Sequence, residues 1–518
     1  MSGQRSKYFT IALGTLAVVF TMVGFVSLKS LPKMARRMLI AELAERFHST
    51  IEIGDIQVGS VMPLEILARD ISLRYHGRSV VSPLMTIQRL SGSATLSGLW
   101  GRKWRISRVH MEGLQIRIPP HADVTGQSYV IQQAHPKVRL PPVEFNEITA
   151  DNASLEILPQ QNGRKPHSFW IHHLTLRSVK LSQRAYFHAE LTNEIPAGEI
   201  ESDGTFGPWN ADQPSLTPVA ANFDFANANL GQLRGISGTL SSRGHYSGVL
   251  ERLDVEGDAL VPNFSLSLGG EPIALKTHYL AVVDGRNGNT NLRAVEAHFL
   301  RSALKVGGVV IDAPGLPQRR ILLSVVASDA RAEDLLHLVT KGSAIPFEGL
   351  VRLKARLELP SGSGDIVDRL ILRGAFQITR AAFTNSETQA RIDALSRRGQ
   401  GEPRDEDISD VPSNIRGSLQ VTDANAYFSP LEFAVPGALV SLKGWYGVRT
   451  EAIDLHGKLQ LSSKLSQTTT GMKSALLRVL NPFFKDDKTG GAILPIKITG
   501  SRSNLSFGLD LARHAKPA

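Results

Sequence analysis

The chain has 518 residues, 42% hydrophobic and 20% charged, globular proportions that exclude wholesale disorder. It has no cysteine, which removes disulfides, thiolate metal sites and cysteine nucleophiles together and suits an oxidising compartment. The net charge of +10 is scattered, with clusters only near the N-terminus and at Arg397–Arg398. A nucleic-acid binder would gather it in a patch, so solvated strand faces or attraction to anionic lipid head groups account for it better.

Residues Tyr8 to Leu28 carry no charge and are mostly apolar. As a helix they cover about 30 Å, the thickness of a bilayer core. A cleaved signal peptide would have a shorter apolar core ending in a small-x-small site. Ser27 follows Phe25 by two places and Ser30 follows Leu28 by two, so neither fits, and an uncleaved single-span anchor is expected. Arg5 and Lys7 precede it, whereas Lys29, Lys33, Arg36 and Arg37 follow it. Those charges lean towards a cytoplasmic body, but long translocated domains obey the rule weakly, so orientation stays open at this point. From Pro32 to His48 the apolar residues Met34, Met38, Leu39, Leu43 and Phe47 recur at helical spacing. This predicts a juxtamembrane amphipathic helix on the membrane surface or on the body.

From Ile51 onward the pattern alternates. Ile51, Ile53, Ile56 and Val58 begin it, with a break at Gly54–Asp55. Trp104–Met111 and Leu114–Ile118 follow. Val351-Arg-Leu-Lys-Ala-Arg-Leu-Glu-Leu359 is apolar at every odd position, and Ile453-Asp-Leu-His-Gly-Lys-Leu-Gln-Leu461 is nearly as clean. Such strands have one oily and one wet face, as in antiparallel sheet. The mean strand length gives roughly 25 strands, which in one sheet would extend roughly 120 Å. Asp284-Gly-Arg-Asn-Gly-Asn289, between Tyr279–Val283 and Leu292–Phe299, reads as a hairpin turn and not as a calcium loop, because its spacing is not that of an EF-hand. Short helices are expected at Arg331–Lys341, at Glu387–Arg398 before Gly399, and at Met472–Leu480 before Asn481-Pro482. Loops are expected at His121–Pro142, Phe206–Pro218, Pro360–Gly364 and Gly399–Asn414. The last carries Asp405, Glu406, Asp407 and Asp410 as an exposed acidic tip.

No set of residues reads as a catalytic centre. Ser30-Leu-Pro-Lys33 and Lys488-Thr-Gly490 mimic two elements of a penicillin-recognising hydrolase, but the S-D-N element is absent and Ser30 adjoins the apolar span. No nucleophile elbow, P-loop, dinucleotide fingerprint or zinc-protease motif is present. His172 and His173 would point to opposite faces of a strand and so do not share a metal as neighbours. No enzyme activity, cofactor or metal is therefore expected.

The order of segments resembles the AsmA family of Gram-negative envelope proteins. An anchor and helix lead into Ile51-Glu-Ile-Gly-Asp-Ile56, then Leu64–Leu73, then the Ser107–Ile118 strand pair. The middle carries Gly204-Thr-Phe-Gly-Pro-Trp209, Gly235-Ile-Ser-Gly-Thr-Leu240, Leu250–Gly257 and Ala281-Val-Val-Asp-Gly285. The end carries Phe433-Ala-Val-Pro-Gly-Ala438, Leu494-Pro-Ile-Lys-Ile-Thr-Gly500 and Phe507-Gly-Leu-Asp510. The resemblance implies a mainly β protein: an N-terminal transmembrane helix, then an elongated, curled antiparallel sheet forming a repeating β-groove, with a few short helices. It implies a single-pass anchor in the inner membrane and a periplasmic body. The segments then read as a cytoplasmic tail (1–7), anchor (8–28), juxtamembrane helix (29–50), N-terminal β region (51–200), middle groove region (201–385), short helix with exposed loop (386–414) and C-terminal β region (415–518).

What the resemblance implies for function is binding and transport of phospholipid towards the outer membrane, with acyl tails on the apolar concave face. The expected lining is Val351, Leu353, Leu357, Leu359, Ile453, Leu455, Leu459 and Leu461, each of which plain sandwich core would equally explain. A non-transporting scaffold for outer-membrane protein assembly, binding periplasmic or outer-membrane partners, is the alternative.

Overall fold

The computed structural model describes most of residues 49–463 and 492–510. Residues 1–48, 119–142, 464–491 and 511–518 lie outside it, as do 62–63, 76–82, 95–103, 159–166, 181–182, 195, 209, 211–212, 268–269, 313–318, 340–344, 406 and 502–503. The expected anchor at 8–28, nearly all of the helix at 29–50, the 121–142 loop, the 472–480 helix and the Ser30 and Lys488 motifs therefore fall outside the described residues. No described helix is long and apolar enough to cross a membrane.

Among the described residues, 25 strands from Ser49–Val61 to Asn504–Leu509 belong to one hydrogen-bonded sheet. The alternation that predicted the strands sets their pairing, because a register slip of one residue would turn every oily side chain to water. The pairs are antiparallel with one departure from expectation. Val143–Ile157 runs parallel to both Trp104–Glu112 and Gln115–Ile118. The long connection from 119 to 142 lets the chain return in the same direction, which a tight hairpin cannot do. The break at Gly54–Asp55 is real: Gly54 lies against Arg69 and Asp70, and Asp70 takes a left-handed φ of 54°. Asp284 closes the expected hairpin by accepting two side-chain bonds and one backbone bond from Arg286. Burial would raise its pKa, but these bonds and the guanidinium charge outweigh that and hold it below the ordinary value.

The chain folds as two compact units. The first contains the described residues up to 229 with 240–259 and 280–290. Its interior is closed: Leu90, Ile106, Val109, Phe145 and Ile148 are each at most 1% exposed. They gather with Ile87, Met111 and Leu114 in one cluster.

The second unit contains 230–239, 260–279 and the described residues from 291 onward. Two helices pack on its strands. The first, Ala332–His337, is shorter than expected and is anchored by its opening acids. Asp334, 2% exposed, accepts from the Arg301 backbone N–H and the Ser302 hydroxyl at 3.0 and 2.7 Å. Glu333, 3% exposed, accepts from Arg301 at 2.9 Å. The second helix, Ser386–Gln400, starts on Asn385, whose side chain accepts the Thr388 N–H at 2.9 Å. It runs past Gly399, contrary to expectation. A Cβ at Gly399 would stand 2.4 Å from the Gly437 carbonyl oxygen, so that glycine permits close approach, and the stop is Gly401 at φ 86°. A four-residue helix at Ile366–Arg369, capped by Asp365, was not expected. At the acidic tip Asp407 and Asp410 are exposed while Asp405 is half-buried.

Asp334→Ala would leave the Ser302 hydroxyl and the Arg301 N–H without their shared acceptor in a buried setting. The expected cost is about 1–3 kcal/mol, read as a lower urea midpoint for the second unit.

Candidate functional site

Paired residues of neighbouring strands share a face, so the registers turn alternating sequences into rows across the sheet. In the second unit one row runs Leu323, Leu357, Leu372, Val421, Ala426, Tyr446 and Ile453. The next runs Val325, Ala355, Gly374, Leu419, Phe428, Gly444, Leu455, Ile498 and Phe507. A third links Ala327, Leu353, Phe376, Gly417, Leu431, Leu442, Gly457, Ile496 and Leu509. A fourth links Ala330, Val351, Ile378, Ile415, Phe433, Val440, Leu459 and Leu494. No charged residue enters any of these rows. The opposite face reads Ser324, Arg356, Arg373, Gln420, Tyr427, Trp445, Asp454 and Thr499.

All eight expected lining residues lie on the apolar face, in two settings. Val351 meets Ala330, Ile378 and Ala381 beside the first helix, where Leu335 packs. Leu459 and Leu461 join Ile392 and Leu395 of the second helix. Protein therefore covers that margin. Leu353 and Phe376 pack against the Val351 cluster and are half-buried, and Leu357, Leu419, Phe428 and Ile453 beyond it are also half-buried, whereas Leu359 and Leu455 are buried at 7% and 9% exposure. On the last strand Leu505, Phe507 and Leu509 are 41%, 62% and 49% exposed. A closed sandwich core would bring such side chains to the near-zero exposure of Ile106 or Phe145. This half-exposed apolar band is the second unit's candidate binding surface.

The polar face of the first unit carries a different group, missed at the level of sequence. One row runs Asp151, His173, Glu190, Glu201 and Asp224, and the adjacent row Thr149, Thr175, His188, Asp203 and Asn222. His188 Nδ1 lies 2.9 Å from Asp203 Oδ1, and its Nε2 lies 3.5 Å from Glu190 and 3.9 Å from Glu201. The bond to Asp203 is the main cause of a raised His188 pKa; desolvation opposes it, and Glu190 and the further negative charges add to it. The two adjacent histidines have separate partners, His173 bonding Asp151 at 2.6 Å and His172 bonding Thr192, but they do not point to opposite faces as expected: the pairing shifts register between Ile171 and His173, and Thr192 shares a face with Glu190, the residue opposite His173. The available signal was the hairpin pattern itself. His-x-Glu at 188–190 and Glu-x-Asp at 201–203 are equidistant from the turn that pairs Glu194 with Ala197.

With this geometry in place, comparison with known proteins adds no relative: no protein-family description, no curated protein and no solved structure matches the chain.

The contrast between the units has a direct thermodynamic test. Ile148→Ala in the closed cluster is expected to cost about 2–5 kcal/mol. Leu357→Ala on the half-exposed band should cost about 1 kcal/mol, since less area is lost from a dry environment. Equal losses in urea melts would mean that Leu357 is ordinary core.

Proposed function

We propose that this protein is an inner-membrane-anchored periplasmic groove protein that binds phospholipid and carries it towards the outer membrane, supporting outer-membrane biogenesis. The observation that carries this reading is the charge-free apolar band of the second unit, continuous over strand after strand and only half-buried at Leu353, Leu357, Leu419, Phe428 and Ile453. Such a surface needs an oily partner, and acyl chains fit its chemistry. Each buried methylene contributes about 0.8 kcal/mol, so a band of leucine, phenylalanine and glycine can hold a tail without a discrete pocket. Because no charged side chain enters the rows of the band, a tail can shift along it at little cost. Leu353, Leu357 and Ile453 are the proposed lining, with Leu455 buried beneath the band at 9% exposure. Val351, Leu459 and Leu461 mark its helix-covered margin, and Leu359 its other end. The curled trough, the anchor at 8–28 and the periplasmic location follow the AsmA resemblance. Head groups stay in water, and transport needs no catalytic residue or cofactor in this chain.

The scaffold reading has one observation in its favour. Asn504–Leu509 is paired on one side only among the described residues, and its apolar side chains are exposed. An edge of that kind can accept a strand from another protein.

Native mass spectrometry of the purified full chain is expected to find phospholipid bound. Leu357→Asp should remove most of it while the circular dichroism spectrum stays unchanged, because the position is half-exposed. A wild-type body free of lipid that binds outer-membrane assembly proteins would overturn the transport reading in favour of the scaffold.

A further inference from the structure

Positive charge that is scattered along the chain is gathered by register on the wet face of the second unit. Arg356 and Arg373 stand directly opposite one another across neighbouring strands. Like charges in that relation repel, and an anion lying over both removes the cost. Arg352 and Lys354 share the face of Arg356, since the three alternate along the one strand Phe347–Leu359. All four cations are exposed. Two nearby acids are already engaged, Glu358 by Arg320 at 2.6 Å and Glu432 by Arg416 at 2.5 Å. Among the described residues none of Arg352, Lys354, Arg356 and Arg373 forms an ion pair. Arg352 and Lys354 also border a hollow of about 680 Å³, where they outnumber its one remaining acid, Asp329.

The row continues with a different chemistry. From Arg356 and Arg373 it passes through Gln420 to Tyr427 and Trp445, which face each other across the next strand pair. Tyr427 is 44% exposed and Trp445 is half-buried. Beyond Trp445 stands Asp454, engaged with His456 at 2.8 Å. At the usual strand spacing Arg356 and Trp445 are about 19 Å apart. Tyrosine and tryptophan settle at the head-group level of a bilayer, and lysine and arginine close to the surface are drawn to acidic lipid. A single-stranded nucleic acid would call for rings interleaved with the cations, so that each base stacks beside its own phosphate. Here the cations and the rings occupy separate ends of the row.

We propose that this wet face docks the second unit onto an acidic membrane surface, with Arg352, Lys354, Arg356 and Arg373 over the lipid phosphates and Tyr427 and Trp445 at head-group level. The docking uses the wet face and the head groups, not the apolar band and the tails, and it stands independently of the lipid-carrying reading.

The test reconstitutes the full chain in phosphatidylcholine nanodiscs, which accommodate the apolar segment at 8–28 beforehand. The nanodiscs are passed over immobilised vesicles of phosphatidylcholine alone or of equal parts phosphatidylcholine and phosphatidylglycerol. The wild type should bind the acidic vesicles and not the neutral ones, and added salt should weaken the binding. Arg356→Gln combined with Arg373→Gln should weaken it about thirtyfold. Arg243→Gln combined with Arg391→Gln removes the same charge from positions 82% and 69% exposed elsewhere and should leave it nearly unchanged. All four arginines are exposed, and circular dichroism checks that each variant keeps its fold. Equal binding to neutral and acidic vesicles overturns the proposal, as does equal weakening in the charge-matched control. A uridine oligonucleotide bound through Arg356 and Arg373, with no binding to acidic vesicles, overturns it in favour of a nucleic acid. The Arg356→Gln, Arg373→Gln chain should still carry any phospholipid found by native mass spectrometry, so failure of the docking and failure of the lipid-carrying reading are told apart.

Discussion

The structure depends on cross-strand register. Each strand alternates oily and wet side chains, and backbone hydrogen bonds between strands hold that alternation in phase from one strand to the next. A slip of one residue anywhere would drive a row of arginines into the apolar face and a row of leucines into water. The bulges in the second unit, such as those near Thr379 and Ser429, absorb irregularities without losing phase. Val351 thereby stays on the face of Ile378, and Leu431 on the face of Leu442.

Phase alone does not decide what an apolar face meets. In the first unit the face is buried against protein, and Ile106, Val109 and Phe145 lose essentially all contact with water. In the second unit two helices cover one margin and leave Leu357, Leu419, Phe428 and Ile453 of the central rows half-exposed. The glycines Gly417, Gly444 and Gly457 stand between large side chains in the rows. At Gly444 and Gly457 a Cβ would lie about 2 Å from a neighbouring carbonyl oxygen, so the backbone packs where a side chain would otherwise project. A smooth apolar surface with shallow relief follows, suited to long flexible chains better than to one shaped ligand.

The wet face has its own chemistry because register aligns charges as strictly as it aligns leucines. Where opposite charges meet, as in Arg117 with Glu156 or Arg416 with Glu432, the rows satisfy themselves. At Glu190 and Glu201 they do not, and the imbalance collects around one histidine.

Much of this was legible along the chain. Alternation at Val351–Leu359 and Ile453–Leu461 identified strands, their faces and the absence of charge from one side, because side-chain direction in a strand is set by local geometry. The turn at Asp284 and the helix near Glu387 were legible for the same local reason. The parallel return of Val143–Ile157, the run of the helix through Gly399 and the short helix at Ile366 were not, since each depends on what another part of the chain brings alongside. The same limit applied to the functional residues. Sequence placed Leu357 and Leu461 on one apolar face but did not distinguish the open band from the helix-covered margin, and it did not bring His188 to Glu190, Glu201 and Asp203. Burial and charge balance are sums over neighbours distant in the chain, and only the folded sheet selects those neighbours.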